Sequence, residues 1–195
     1  MRRRFKSDLT VAQSWRNDLR AGRARAARPL DQAAIERIAL RYVERYATTR
    51  AKLADYLQRK IRERGWAGDE PPMIDALVAR FSGLGYVDDE AFASARAASL
   101  TRRGYGLRRV ASALRAAGIE EADAAPAEEA ARESAWQAAL TFARRKKIGP
   151  FALVQPDRAG REKWLAAMLR AGHDLTQSRR IVALEPGSVP ESDQD

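Results

Sequence analysis

The chain has 195 residues, 45% of them hydrophobic but only 7% aromatic, and carries 36 Lys and Arg against 26 Asp and Glu for a net charge of +10. That length holds one domain or a short row of small units, and the scarcity of large side chains favours several modest cores over one deep one. The absence of cysteine excludes disulfides and thiolate metal sites, and no apolar run approaches the roughly 18 residues of a membrane span, so a cytoplasmic protein is expected.

The excess positive charge points to a polyanionic partner. It is unevenly spread. Residues 1–30 hold Arg2, Arg3, Arg4, Lys6, Arg16, Arg20, Arg23, Arg25 and Arg28 against Asp8 and Asp18 and read as a basic, disordered arm. The opening Met1–Lys6 resembles a twin-arginine signal only superficially, since no apolar stretch follows. The far end is acidic, with Glu185, Glu191, Asp193 and Asp195, and residues 186–195 read as a disordered tail.

Between these ends the apolar period is helical. Ile35, Ile38, Ala39, Tyr42, Val43 and Tyr46 form one stripe behind the N-cap Asp31, with Leu30 and Ile35 placed as a hydrophobic staple. A second helix runs from Thr49, with Leu53, Leu57 and Ile61 inward, to a stop at Gly65. A third carries Ile74, Leu77, Val78 and Phe81 to Gly83–Gly85. Asp88 caps a fourth that runs to about Arg103, with Val87 and Phe92 at staple positions, and Leu107–Ala117 makes a fifth. Glu120–Ala125 reads as a loop, and Pro126 as the first turn of one long helix to Lys147. Ile148–Gly160, with two prolines and two glycines, reads as a long loop. Helices through Trp164–Leu169 and from the cap Asp174 through Ile181 complete the chain.

Three helix stops end alike, at Gly65, Gly118 and Gly172, and an aromatic recurs at Tyr42, Phe92 and Phe142. Intervals near 50 residues with three helices in each indicate tandem units. The expected architecture is all-α, an elongated, curved array of three tandem three-helix repeats: 31–86, 87–134 and 135–185. Such an array offers a long charged surface rather than a closed pocket.

Nothing in the sequence marks a catalytic centre, so no enzyme, cofactor or metal site is expected. The single histidine, His173, follows a helix stop and reads as a loop residue or partial cap. Asp88-Asp89-Glu90 could suggest Mg²⁺ but suits a helix N-terminus better. Gly104-Tyr-Gly106 lacks the strand and the lysine-serine ending of a phosphate loop. Arg37, Arg41 and Arg45 read as a solvated face, and Trp66, Trp136 and Trp164 as packing residues. Arg102, Arg103, Arg108 and Arg109 bracket one turn, and Arg144, Arg145, Lys146 and Lys147 end one helix. Four like charges at one turn repel unless an anion compensates, so both clusters are candidate binding sites.

The stretch Gly85-Tyr-Val-Asp-Asp-Glu-Ala-Phe-Ala93 resembles the Gly-Tyr-hydrophobic-Asp-Asp-x-x-Phe-Ala signature of the RecX family. The similarity extends to Thr49–Leu53, Tyr56–Lys60 and Ala113–Ile119, covering about Ala34 to Ile119 well and Trp136 to Leu184 more loosely. The resemblance implies a monomeric three-helix-repeat protein that binds the RecA–single-stranded-DNA filament and modulates, usually inhibits, its ATPase, strand-exchange and co-protease activities. The matching positions Gly85, Tyr86, Asp88, Asp89 and Phe92 read physically as turn, cap and staple. The Ile148–Gly160 loop and the basic arm depart from the family pattern. A basic helical DNA-binding protein with no RecA partner is the competing reading.

Overall fold

In the computed structural model, which describes residues 28–188, the apolar stripes become helices. In chain order they are α1 (Gln32–Val43), α2 (Arg50–Arg64), α3 (Ile74–Gly83), α4 (Asp89–Arg102), α5 (Leu107–Arg115), α6 (Glu121–Glu133), α7 (Ala135–Lys146), α8 (Arg158–Arg170) and α9 (Leu175–Ala183), with a 3-10 turn at Gly149–Phe151. Among the described residues the sole β-type pairing is one bridge between Leu30 and Trp66. Side chains of Asp31, Thr49, Asp88, Asp157 and Asp174 each accept a backbone N–H at the helix they precede. Each such cap contributes about 1 kcal/mol, so local chemistry fixes most of the helix starts.

The helices gather in threes around separate cores. Leu30, Ile35, Leu53, Leu57, Ile74, Leu77 and Phe81 bury the faces of α1–α3. Ala93, Ala97, Leu100, Val110, Leu114 and Ala127 do so for α4–α6, and Trp136, Phe142, Ile148, Met168 and Ile181 for α7–α9. The chain is thus an all-α array of three-helix units. Val87 belongs to the first core whereas Phe92 packs against the second, so the two do not staple one helix as their spacing suggests.

Several boundaries differ from the sequence reading. The expected long helix is two, because Glu121–Ala125 is already helical and Ser134 interrupts the run. Pro126 therefore sits inside α6 rather than in its first turn. The turn before it is held from outside, where Asp123 pairs with Arg50 of the first unit at 2.5 Å. Tyr46 lies beyond the end of α1 and is exposed. The Ile148–Gly160 loop is shortened from both ends, by the 3-10 turn and by α8. Residues 1–27 and 189–195 lie outside the described residues, but Leu30, assigned to the arm, is core, and Gly187 N–H donates to Pro150 O.

The glycine markers are joints. Gly65, Gly118 and Gly172 follow the second helix of each unit and take positive φ of 82°, 71° and 93°, a region that costs any residue with a Cβ. Gly118 lies against Ala51 at the start of α2, where a Cβ would collide with the alanine methyl, and beside it Thr49 Oγ1 donates to Ala117 O at 2.7 Å. Gly172 lies against the start of α5 in the same way: Gly106 N–H donates to Ala171 O at 3.0 Å and Arg108 N–H to Gly172 O at 3.1 Å. In the first and second units the turn opening the second helix thus receives the stop of the following unit. In the first unit Gly65 O instead accepts from Leu30 N–H at 2.9 Å. The aromatic markers have no such equivalence. Tyr42 lies at the end of α1, Phe92 in the first turn of α4 and Phe142 within α7, so their even spacing has no structural counterpart.

Two polar groups tighten the joints. Asp89 is buried and accepts from Arg50 N–H at 2.9 Å and from Arg50 Nε at 3.2 Å, so it ties the first unit to the second as well as favouring the start of α4. The hydrogen bond that the guanidinium donates to Asp89 and the charges of Asp89, Asp123 and Glu120 hold Arg50 more firmly protonated than usual. His173 lies, as expected, in the connection between α8 and α9, but it is only 1% exposed, with Nε2 3.1 Å from Gly104 O and its ring tilted against Phe142.

Burial lowers the His173 pKa below its ordinary value, opposed by the Gly104 hydrogen bond, and Nδ1 has no hydrogen-bond partner among the described residues. The unfolded chain therefore binds the proton more readily than the native one, so stability is full above about pH 6.5 and falls as pH drops below it. Asp174, held below the usual carboxylate range by the Thr176 N–H, titrates lower still. Thermal melts between pH 7.5 and 5.5 should show a falling midpoint, and His173→Gln should flatten that dependence. An equal slope in both proteins would remove His173 as its source.

Candidate nucleic-acid interface

A groove of about 540 Å³ lies between α4 and α5, lined by Phe92, Arg96, Leu100 and Arg103 from one side and Arg109, Ser112 and Ala113 from the other. The α4 residues are spaced by four, four and three, so a single helical face presents them. Lys52 reaches in from the first unit, its Nζ 4.7 Å from the centre of the Phe92 ring. Among the described residues no Asp or Glu lines the groove.

At one end stands Tyr105, half-buried in the Gly104–Gly106 turn and touching both the second and third cores. The turn is possible because Gly104 has a φ of 77° and approaches α7 so closely that a Cβ there would lie 2.7 Å from Phe142 N. Three guanidinium groups surround the Tyr105 ring, Arg103 at 5.4 Å, Arg145 at 5.6 Å and Arg109 at 6.0 Å. Arg145 also donates to Arg103 O at 2.6 Å, fastening the end of α7 to the turn. Among the described residues none of Lys52, Arg96, Arg103, Arg109 and Arg145 has an ion-pair partner. Contact with a ring face offsets only about 0.5–1 kcal/mol of each exposed charge, so the cluster keeps its affinity for an anion.

The candidates from sequence are sorted by this geometry. Of the four arginines bracketing the turn, only Arg103 and Arg109 meet. Arg102 lines a separate groove of about 390 Å³ between α4 and α6, with Ala97, Ala98, Thr101 and Ala127. The exposed Arg108 is held at the joint through its backbone N–H. Of the α7 cluster, Arg145 joins the Tyr105 site, Arg144 lies 5.0 Å from the Phe151 ring, and Lys146 and Lys147 are exposed, Lys147 ending the helix at a φ of 54°. Arg37, Arg41 and Arg45 are exposed and do not line the groove.

Among the signature residues, Gly85 takes a φ of 76°, Tyr86 meets Phe81 edge-on, and Asp88 caps α4. Phe92 does more than fill a core, since its ring floors the groove beneath Lys52. Sequence reasoning missed Lys52, Arg96 and Tyr105. The Phe92/Arg96 spacing and the aromatic between two glycines are visible signals, whereas nothing in the sequence brings Lys52 there.

Known proteins similar to this chain in sequence or fold share a name. The family model described as RecX, second three-helix domain, matches residues 88–127, the stretch that builds α4, α5 and the start of α6. A regulatory protein RecX of Myxococcus xanthus is 33% identical over 160 residues, spanning 78% of this chain and 86% of the relative. The regulatory protein RecX of Agrobacterium fabrum is 28% identical over 150 residues, 75% and 80% of the two chains. Among solved structures, RecX from Lactobacillus salivarius superposes with a TM-score of 0.56 at 17% identity, over 77% of this chain and 93% of its own. A second crystal structure of regulatory protein RecX gives 0.58 at 18% identity, over 93% and 80%, and both share the fold. With its three-helix units and its signature turn, the chain belongs to the RecX family of regulatory proteins.

Proposed function

We propose that the protein regulates homologous recombination and the SOS response by binding the RecA–single-stranded-DNA filament, where it lowers ATP hydrolysis, strand exchange and co-protease activity. It acts by binding rather than catalysis, as a monomer in the cytoplasm. One observation carries the reading beyond family membership: a groove with five basic side chains at or beside it and no lining carboxylate among the described residues, built where three units meet. Single-stranded nucleic acid supplies phosphates for the guanidinium groups and bases for a ring such as Tyr105.

The test is RecA-catalysed ATP hydrolysis on single-stranded DNA, titrated with the protein. Hydrolysis should fall at stoichiometric protein, and no change at excess would refute the reading. Salt separates it from a DNA-binding protein with no RecA partner. Binding through about 6 phosphates alone loses on the order of a thousandfold between 50 and 200 mM salt, while a shared protein interface loses less.

A further inference from the structure

The loop between the 3-10 turn and α8 carries the two most exposed large apolar side chains among the described residues, Leu153 at 86% and Val154 at 76%. They stand on a braced base. Phe151 N–H donates to Ile148 O and Ala152 N–H to Gly149 O, and Pro150 O accepts from Gly187 N–H. Gly149 is pressed so closely against Ile181 O that no side chain fits there, and Asp157 closes the loop by capping α8. Pro150 and Pro156 restrict the backbone on either side. A loop held this firmly presents its apolar pair in one place, which lowers the ordering cost of binding.

Its position in the array adds a second argument. In the first two units, the turn that opens the second helix is covered by the stop of the next unit: Thr49 and Gly106 are both buried. The corresponding turn in the third unit leads into α8, and there Asp157, Arg158 and Ala159 are exposed. The Leu153–Val154 pair therefore stands at the open end of the array, where a fourth unit would dock.

The base of the loop meets one arginine of the α7 cluster, since Phe151 lies beneath the Arg144 guanidinium, which is 5.0 Å from its ring centre. A partner engaging both would present anionic groups beside an apolar hollow. Leu and Val have no π-face on which an unstacked base of a single strand could lie, which favours a protein surface for the apolar contact. Two aliphatic side chains on a loop also lack the broad apolar helical face and aromatic residues that hold a protein at a lipid surface. A protein pocket remains, since it can enclose both aliphatic side chains and exclude water from them.

We infer that the Leu153–Val154 loop is a protein-binding plug that inserts into an apolar pocket on the protein component of the nucleoprotein whose nucleic acid occupies the groove. The inference rests on the filament reading and divides its contacts, phosphate to the arginines and protein to the plug.

The experiment compares the full chain with L153S/V154S on three probes: a labelled oligothymidylate, a preassembled RecA filament on the same oligonucleotide, and anionic phosphatidylserine vesicles. Sedimentation of each protein alone accompanies them, with circular dichroism to verify that the exposed double substitution leaves the helices intact. Oligonucleotide binding should stay within about twofold, while filament binding weakens by about ten- to a hundredfold, the scale of two partly buried aliphatic side chains returned to water. Equal filament binding by both proteins overturns the plug and leaves the filament reading standing. Parallel loss on bare oligonucleotide would make the loop part of the nucleic-acid site, and loss of vesicle binding would make it a lipid contact. A dimer that the substitutions dissolve would make a second copy the occupant. If the unsubstituted protein binds the filament no better than the bare oligonucleotide, the filament reading itself fails, and the plug with it.

Discussion

Changing Arg103, Arg109 and Arg145 together to alanine should weaken binding to single-stranded DNA by about a hundredfold at 100 mM salt and reduce the logarithmic salt slope by about 2, the loss of three phosphate contacts. These three surround Tyr105, and none has a carboxylate partner among the described residues, so their removal relieves repulsion and breaks no ion pair. The informative control is R102A/R108A. It removes two of the arginines that sequence alone groups with Arg103 and Arg109, yet neither lines the groove. That pair should lose no more than about threefold, the scale of a screened, distant charge. Binding titrations from 50 to 200 mM salt decide the matter, and equal losses in the two variants would show that total charge matters and the groove does not.

The largest effect on stability is expected from Gly172→Val. A side chain there must take a φ of 93° and would also strike the backbone at Arg109, where the start of α5 receives the third unit. Backbone cannot move aside as a flexible side chain does, so the cost should reach about 3–5 kcal/mol, combining positive-φ strain with a collision in a close-packed joint. Gly187→Ala calibrates the strain alone. It shares a φ of 89° but has open space around it, and should cost about 1 kcal/mol. Urea denaturation measures both. Because the third unit has its own core, Gly172→Val should also split one transition into two, the third unit melting apart from the others. A single unfolding curve within 1 kcal/mol of the parent would mean that the joint yields more easily than its geometry implies.

The joints explain why some features were legible and others were not. A glycine stop is a local requirement, since the chain turns there through a backbone region other residues avoid, and Gly65, Gly118 and Gly172 stand out on that ground. What each stop docks against lies far away in sequence, which leaves no periodicity to read. The same division runs through the groove. Phe92, Arg96 and Arg103 share a face because of helical spacing, but Lys52 and Arg145 come from other units through the joints. Adjacent positions misled for a local reason. Successive residues on a helix point about 100° apart, so Arg102 and Arg103 face different grooves and Arg144 and Arg145 meet different rings. Pro126 misled because its helix begins before it, where Asp123 pairs with Arg50 of another unit, which the local sequence does not reveal.

The way the units are joined also orders events in time. Each core draws almost wholly on one stretch of chain and can close by local search, the fast kind of folding. The joints cannot. Thr49 must wait for Ala117, 68 residues on, and Gly104 for His173, 69 residues on. On a ribosome the first unit completes its core once Val87 has emerged, and it then presents the buried turn at Thr49 uncovered until the second unit arrives to close it.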